Sequence, residues 1–214
     1  MADELLARNS WSSMDHLNAI YWSLSSVLLY NRPGAVLEVG CNAGHTSVWL
    51  QRVIQDFAPE RELHLFDSFA GLPTPGQHDV LLGDGDLVVT EEQVKENFAD
   101  WDLPTPAIHA GWFVDTLPSY CPRQVAFAYL DGDYYESILT SLEYVYPRLV
   151  PGGVILIDDY CDAEQNPRAW DGFPGVKMAC DDYFRGRPNP VEVLAGSARL
   201  AVGAIRKPLD GAGV

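Results

Sequence analysis

AVLEVGCNAGHTSVWLQRVIQDF, residues 35–57, decides the fold. The apolar run AVLEV reads as a short buried strand that stops at Gly40. HTSVWLQRVIQDF follows as a helix. Gly40 and Gly44 let the chain between them turn tightly and bring its backbone close to a ligand. Strand, glycine turn and helix open a doubly wound α/β sheet, in which this first turn faces the ligand crevice. A dinucleotide fingerprint would need glycine where Glu38 stands, so the nicotinamide pattern fails.

The same alternation continues outward. Upstream, Leu17, Ile20, Tyr21, Leu24, Val27 and Leu28 recur at helical spacing, and NRPG stops that helix. Downstream, ELHLFD (62–67) is a second strand ending at Asp67, and GLPTPGQHDVLLGDGD is loop. TEEQVKENF opens a helix with Thr90 and Gln93 in capping-box spacing. AIHAGWF (107–113) reads as a third strand and VAFAYLDG (125–132) as a fourth, apolar enough to be central and parallel. DYYESILTSLEYVYPRL is a helix buried through Ile138, Leu139, Leu142, Val145, Tyr146 and Leu149, with Asp133 and Glu136 as its cap. PGGVILIDDY (151–160) is the fifth strand, and a helix near 174–185 follows. VEVLAGSARLAVGAIRK closes the chain as an antiparallel hairpin turning at Gly196-Ser197. No domain boundary interrupts residues 1–214, and the expectation is one domain with an N-terminal helical segment at 1–33.

Composition narrows the partners. The 214 residues carry 30 acidic and 14 basic side chains, a net charge of -16, which repels nucleic acid and anionic lipid. The first ten residues lack the apolar core of a secretory signal, and LNAIYWSLSSVLLY is too short to span a bilayer. Cys41, Cys121, Cys161 and Cys180 fit neither a zinc pattern nor a disulfide framework. A reduced, cytoplasmic protein is expected. No Ser-His-Asp or Cys-His constellation has a supporting phrase. Among the histidines, His64 and His109 read as structural and His45 as part of a helix start.

Glu38-x-Gly40-x-x-x-Gly44 resembles the first motif of class I S-adenosylmethionine-dependent methyltransferases. FDSFAGLP (66–73), AGWFVDTLP (110–118), LDGDYYES (130–137) and PGGVILIDDY (151–160), in that order, resemble the macrocin O-methyltransferase family of sugar O-methyltransferases, as does EEQVKENF. The likeness covers roughly residues 35–185, with a weaker echo at MDHLNAIYWSL. It implies a mostly parallel seven-stranded sheet, with S-adenosylmethionine and Mg²⁺ as cofactors. It also implies a hydroxyl of a sugar or glycosylated natural product as acceptor, and a homodimer.

Carried over by position, the metal ligands are Asp131, Asp158 and Asp159. The cofactor contacts are Glu38, Gly40, Gly44, Thr46, Ser47, Asp67, Ser68, Gly111, Trp112 and Asp131. Asp131 is also the candidate proton acceptor, and Trp170 a candidate acceptor contact. Three carboxylates meeting at neighbouring strand ends repel one another unless a hard dication relieves them. Adjacent strand residues point to opposite faces, so Asp158 and Asp159 share one ion only if the strand has already bent. The N-terminal segment and the loop after GLP look short for the family; both regions shape the acceptor pocket. O-methylation of a catechol or other small diol, and a non-catalytic S-adenosylmethionine-binding protein, are the alternative readings.

Overall fold

The computed structural model describes residues 1–8, 12–194 and 201–209. Two helices, α1 (Ala2–Arg8) and α2 (Met14–Leu29), precede the sheet. Then come β1 (Ala35–Val39), α3 (His45–Phe57), β2 (Leu63–Asp67), α4 (Glu91–Asp100), β3 (Ala107–Ala110) and α5 (Phe113–Tyr120). The second half holds β4 (Val125–Leu130), α6 (Tyr135–Val145), β5 (Leu149–Asp158), α7 (Pro174–Tyr183), β6 (Glu192–Leu194) and β7 (Val202–Arg206). The seven strands form one sheet in the order β3-β2-β1-β4-β5-β7-β6. β1 to β5 are parallel; β7 runs antiparallel to β5, and β6 to β7. The hairpin is therefore present, but its expected turn at Gly196-Ser197 lies outside the described residues.

The strand residues divide alternately between two cores, as a two-sided sheet requires. Leu37, Val39, Ala128, Leu130, Ile155 and Ile157 pack with α6 and α7. Val36, Leu65, Ala126, Tyr129, Val154 and Leu156 pack with α2, α3 and α4. Strand order reverses between β1 and β4, which puts the ligand crevice at their C-terminal ends.

Four local expectations change. The third strand stops at Ala110 because Gly111 turns at φ 138°, and Phe113 starts α5, a helix of eight residues containing Pro118. The helix expected through Leu149 ends at Val145; Pro147 shapes a 3₁₀ turn at Tyr146–Arg148. β5 consequently starts at Leu149 and ends at Asp158, two residues before the expected Tyr160. Asp133 does not cap α6. The residue at the cap position is Tyr134, and the free Tyr135 N–H is taken by Asp79 Oδ1 at 2.9 Å, from the loop after β2. The capping box of α4 does form: Gln93 N–H donates to Thr90 Oγ1 at 3.2 Å, and Thr90 N–H to Gln93 Oε1 at 2.8 Å.

All four cysteines are free. No helix among the described residues is long and apolar enough to cross a membrane.

Candidate active site

The first turn is tied to both neighbouring strands. Asn42 and Gly44 adopt left-handed backbone, φ 46° and 82°. Asn42 N–H donates to Asp67 Oδ2 at 2.8 Å, so the acid that ends β2 clamps the turn that ends β1. The other Asp67 oxygen accepts Phe69 N–H at 2.9 Å. Burial raises the Asp67 carboxyl above its usual range, against these backbone bonds, which lower it. Gly40, at φ 94°, lies against β4: a Cβ there would stand 1.8 Å from the Asp131 carbonyl oxygen. Gly40→Ala is expected to force the two strand ends apart and to cost more than about 2 kcal/mol in urea unfolding.

Glu38, on β1, is fully buried. Ser47 Oγ, from the first turn of α3, donates to its Oε2, while Oε1 has no hydrogen-bond partner. Burial pushes this carboxyl up to about 8, opposed by the Ser47 hydroxyl and reinforced by Asp67 and Asp158.

Carboxylates from β4 and β5 meet beside the turn. Asp158 is the last paired residue of β5, opposite Val202. Asp159 is left-handed at φ 56°, so the strand has bent by the second acid. Asp133 is also left-handed, at φ 57°. As a result, Asp131, Asp133 and Asp159 present oxygens that all lie within 4.8 Å of one another. Burial, then the neighbouring acids, raises Asp131 and Asp159 well above the carboxylate range and Asp133 to about 7. Asp158 is not in that tightest grouping. Its Oδ1 faces His16 Nε2 of α2 at 3.3 Å, an ion-pair distance, but is buried without an aligned hydrogen bond. Burial lowers the His16 pKa, while Asp158 and, more weakly, Asp15 raise it, and the net direction is up.

These groups line one cavity of about 1240 Å³, more than a single drug-sized ligand occupies. Of the residues expected from sequence, Glu38, Gly40, Thr46, Asp67, Ser68, Trp112, Asp131, Asp158 and Asp159 are on its wall, as are His45 and Trp170. Ser47, Gly44 and Gly111 are not. Ser47 stands behind the wall, holding Glu38; Gly44 packs near Val94 and Gly111 near Thr116. Ser68 Oγ is engaged in its own turn, donating to Gly71 O at 2.8 Å and accepting Ala70 N–H at 3.0 Å.

Sequence reasoning gave no role to His16 or Arg168, which also line the cavity, and assigned Asp133 to a helix cap. A signal for His16 exists: it shares a helical face with Ile20, Leu24 and Val27, an imidazole on an otherwise apolar stripe.

The arrangement pairs a glycine turn with a carboxylate cluster at the switch point of a doubly wound sheet, and the fold around it is shared with known proteins. The O-methyltransferase NovP superposes with a TM-score of 0.76 at 26% identity, over 92% of this chain and 81% of NovP. A Streptomyces olivaceus enzyme is named for 4'-O-methylation of a rhamnosyl tetracenomycin. It is 33% identical over 177 residues, 74% of this chain and 68% of its own length. Demethyldecarbamoylnovobiocin O-methyltransferase of Streptomyces niveus is 32% identical over 179 residues, 78% of this chain and 64% of its own. The chain thus spans about two thirds of these curated relatives. The family model for macrocin O-methyltransferase (TylF) matches residues 11–182. With the class I methyltransferase sheet around it, this match means that the chain belongs to the macrocin O-methyltransferase (TylF) family.

Proposed function

We propose that this protein transfers a methyl group from S-adenosylmethionine to a hydroxyl of a sugar or glycosylated natural product, with a hard divalent cation such as Mg²⁺ in the site. The carboxylate cluster carries this reading. Asp131, Asp133 and Asp159 converge. Beside them, Asp158 Oδ1 is a buried oxygen with unspent hydrogen-bonding capacity. Such a set is costly alone and fits an all-oxygen cation site. We assign Asp131, Asp158 and Asp159 as the ligands. When bound, the cation acts as a Lewis acid toward the acceptor hydroxyl.

The chain's own groups do the rest. We assign the turn after Gly40, whose residues 41–43 lie on the cavity wall, to the cofactor, and Asp67, at the end of β2 on the same wall, to its ribose hydroxyls. The cofactor's sulfonium and ammonium suit an acidic wall, which Glu38, Asp67 and Asp131 supply. Asp131 was the expected proton acceptor. A carboxylate that binds a cation is a weaker base, and Asp133, which has no capping duty, stands in the same cluster, so we assign the proton to an Asp133 carboxylate oxygen instead. Ser12, Ser13 and His16, at the entry to α2, together with Trp170, form the acceptor side of the wall. The sugar linked to the S. olivaceus relative supports this acceptor class.

Calorimetric titration of S-adenosylmethionine, then of Mg²⁺ with and without EDTA, tests the cofactors; a panel of rhamnosylated polyketides and catechols tests the acceptor. Saturable binding of both, and methylation of the glycosides alone, are expected. Methylation of the catechols alone would replace the sugar with a flat aromatic diol. No S-adenosylmethionine binding would overturn the reading.

A further inference from the structure

We propose that His16 is a positioning residue: its imidazole N–H sets the Asp158 carboxylate for cation binding and couples the acceptor-side helix α2 to the ion. The inference rests on the cation reading above and adds to it a residue from outside the sheet.

Ser13 occupies the cap position of α2, and its Oγ lies 2.7 Å from His16 Nδ1. With the hydroxyl donating to Nδ1, the ring hydrogen is on Nε2, which faces Asp158 Oδ1 at 3.3 Å. The neutral ring carries that hydrogen, so the role needs no charge on His16. Both side chains are nearly enclosed, 11% and 15% exposed. Their supports are rigid. The Asp158 backbone is fixed by its pairing with Val202. α2 is anchored through buried Leu17, Ile20 and Leu24, and Trp49 Nε1 of α3 donates to Leu17 O at 2.9 Å. The contact thus joins two elements that cannot drift independently. A carboxylate ligand oriented by an outer donor holds its metal better, and losing such a donor costs about 10–100-fold in affinity.

The geometry also says why an imidazole stands here. His16 occupies a helical face that is otherwise apolar, and its Nε2, 3.3 Å from the buried Asp158 Oδ1, would have to turn only slightly to donate to an oxygen that has no other hydrogen-bond partner; a hydrocarbon there has no N–H to offer. The same residue lines the cavity, so one side chain touches both the space for ligands and Asp158.

The test is Mn²⁺ binding followed by electron paramagnetic resonance, with S-adenosylmethionine present and no acceptor, so that no turnover is needed. His16→Leu should bind Mn²⁺ about 10–100-fold more weakly than the wild type. His16→Gln, whose amide N–H reaches about as far as Nε2, should recover most of that loss. Circular dichroism and thermal melts establish that each variant is folded. Unchanged affinity in His16→Leu overturns the proposal. Equal losses in both variants also overturn it, because the effect would then be packing rather than the N–H. A wild type that binds no Mn²⁺ overturns the cation reading itself, a result distinct from either.

Discussion

Asp131→Asn and Asp159→Asn are expected to lose more than about 100-fold in turnover while melting at a higher temperature than the wild type without metal. Two opposite effects come from one cause. Both carboxyls are held well above the usual range, first by burial and then by the other acids of the cluster. In the metal-free protein each added charge there opposes folding, and every unit by which a carboxyl is raised amounts to about 1.4 kcal/mol. An amide of the same shape removes the charge and keeps hydrogen-bonding capacity, so stability should rise by about 1 kcal/mol or more. Activity falls because a lost ligand costs more than the roughly 10–100-fold of a lost outer partner. Asp133→Asn separates the roles: it should lower kcat by about 10²–10⁴-fold, as for a lost general base, while Mn²⁺ binding stays near wild type. Melts in EDTA and initial rates at saturating Mg²⁺ check all three. Full activity in Asp131→Asn and Asp159→Asn together would remove the cation from the mechanism.

The sequence made the sheet legible where strands are long apolar runs closed by an acid or a glycine. β1, β2 and β4 appear with ends within two residues of expectation, and α3 spans His45–Phe57 as read. The short helices were not legible. α1 has seven residues with one buried side chain, and α5 has eight with a proline inside, too few turns for an apolar stripe to declare itself.

The acids of the site were visible as strand endings, since a charge that closes an apolar run must find water or a partner. Their mutual arrangement was not. It depends on left-handed backbone at Asp133 and Asp159, which aspartate tolerates but does not announce. Those two left-handed residues join Asp131 in the cluster, while Asp158, still in regular strand, faces α2. The His16 contact is long-range and follows only once α2 is docked on the β5 side of the sheet.

Metal-free protein should be most stable in mild acid and weaken steadily up to about pH 8, and Glu38→Gln should remove part of that slope, the raised carboxyls of Asp131, Asp133 and Asp159 supplying the rest. Burial is the main cause, lifting the Glu38 carboxyl from 4.5 to about 8. The folded chain therefore keeps a proton that the unfolded chain releases. Stability from this group is complete below pH 4.5 and is lost as the pH rises through about 8. The full shift corresponds to about 5 kcal/mol as an upper bound, a large part of the roughly 5–15 kcal/mol typical of a domain. In Glu38→Gln the side-chain amide can still accept from Ser47 and has no charge to bury, so the variant should gain on the wild type as the pH rises. Urea unfolding at about pH 5, 6, 7 and 8 in EDTA reads the slope directly, and parallel curves for the two proteins would mean that Glu38 is ionised throughout. Such a cost at the centre of the fold is understandable if Glu38 is kept for a ligand that brings positive charge to the β1 turn. Its unpartnered Oε1 and its place on the cavity wall are consistent with that use, and stability is the quantity commonly given up to keep such a site.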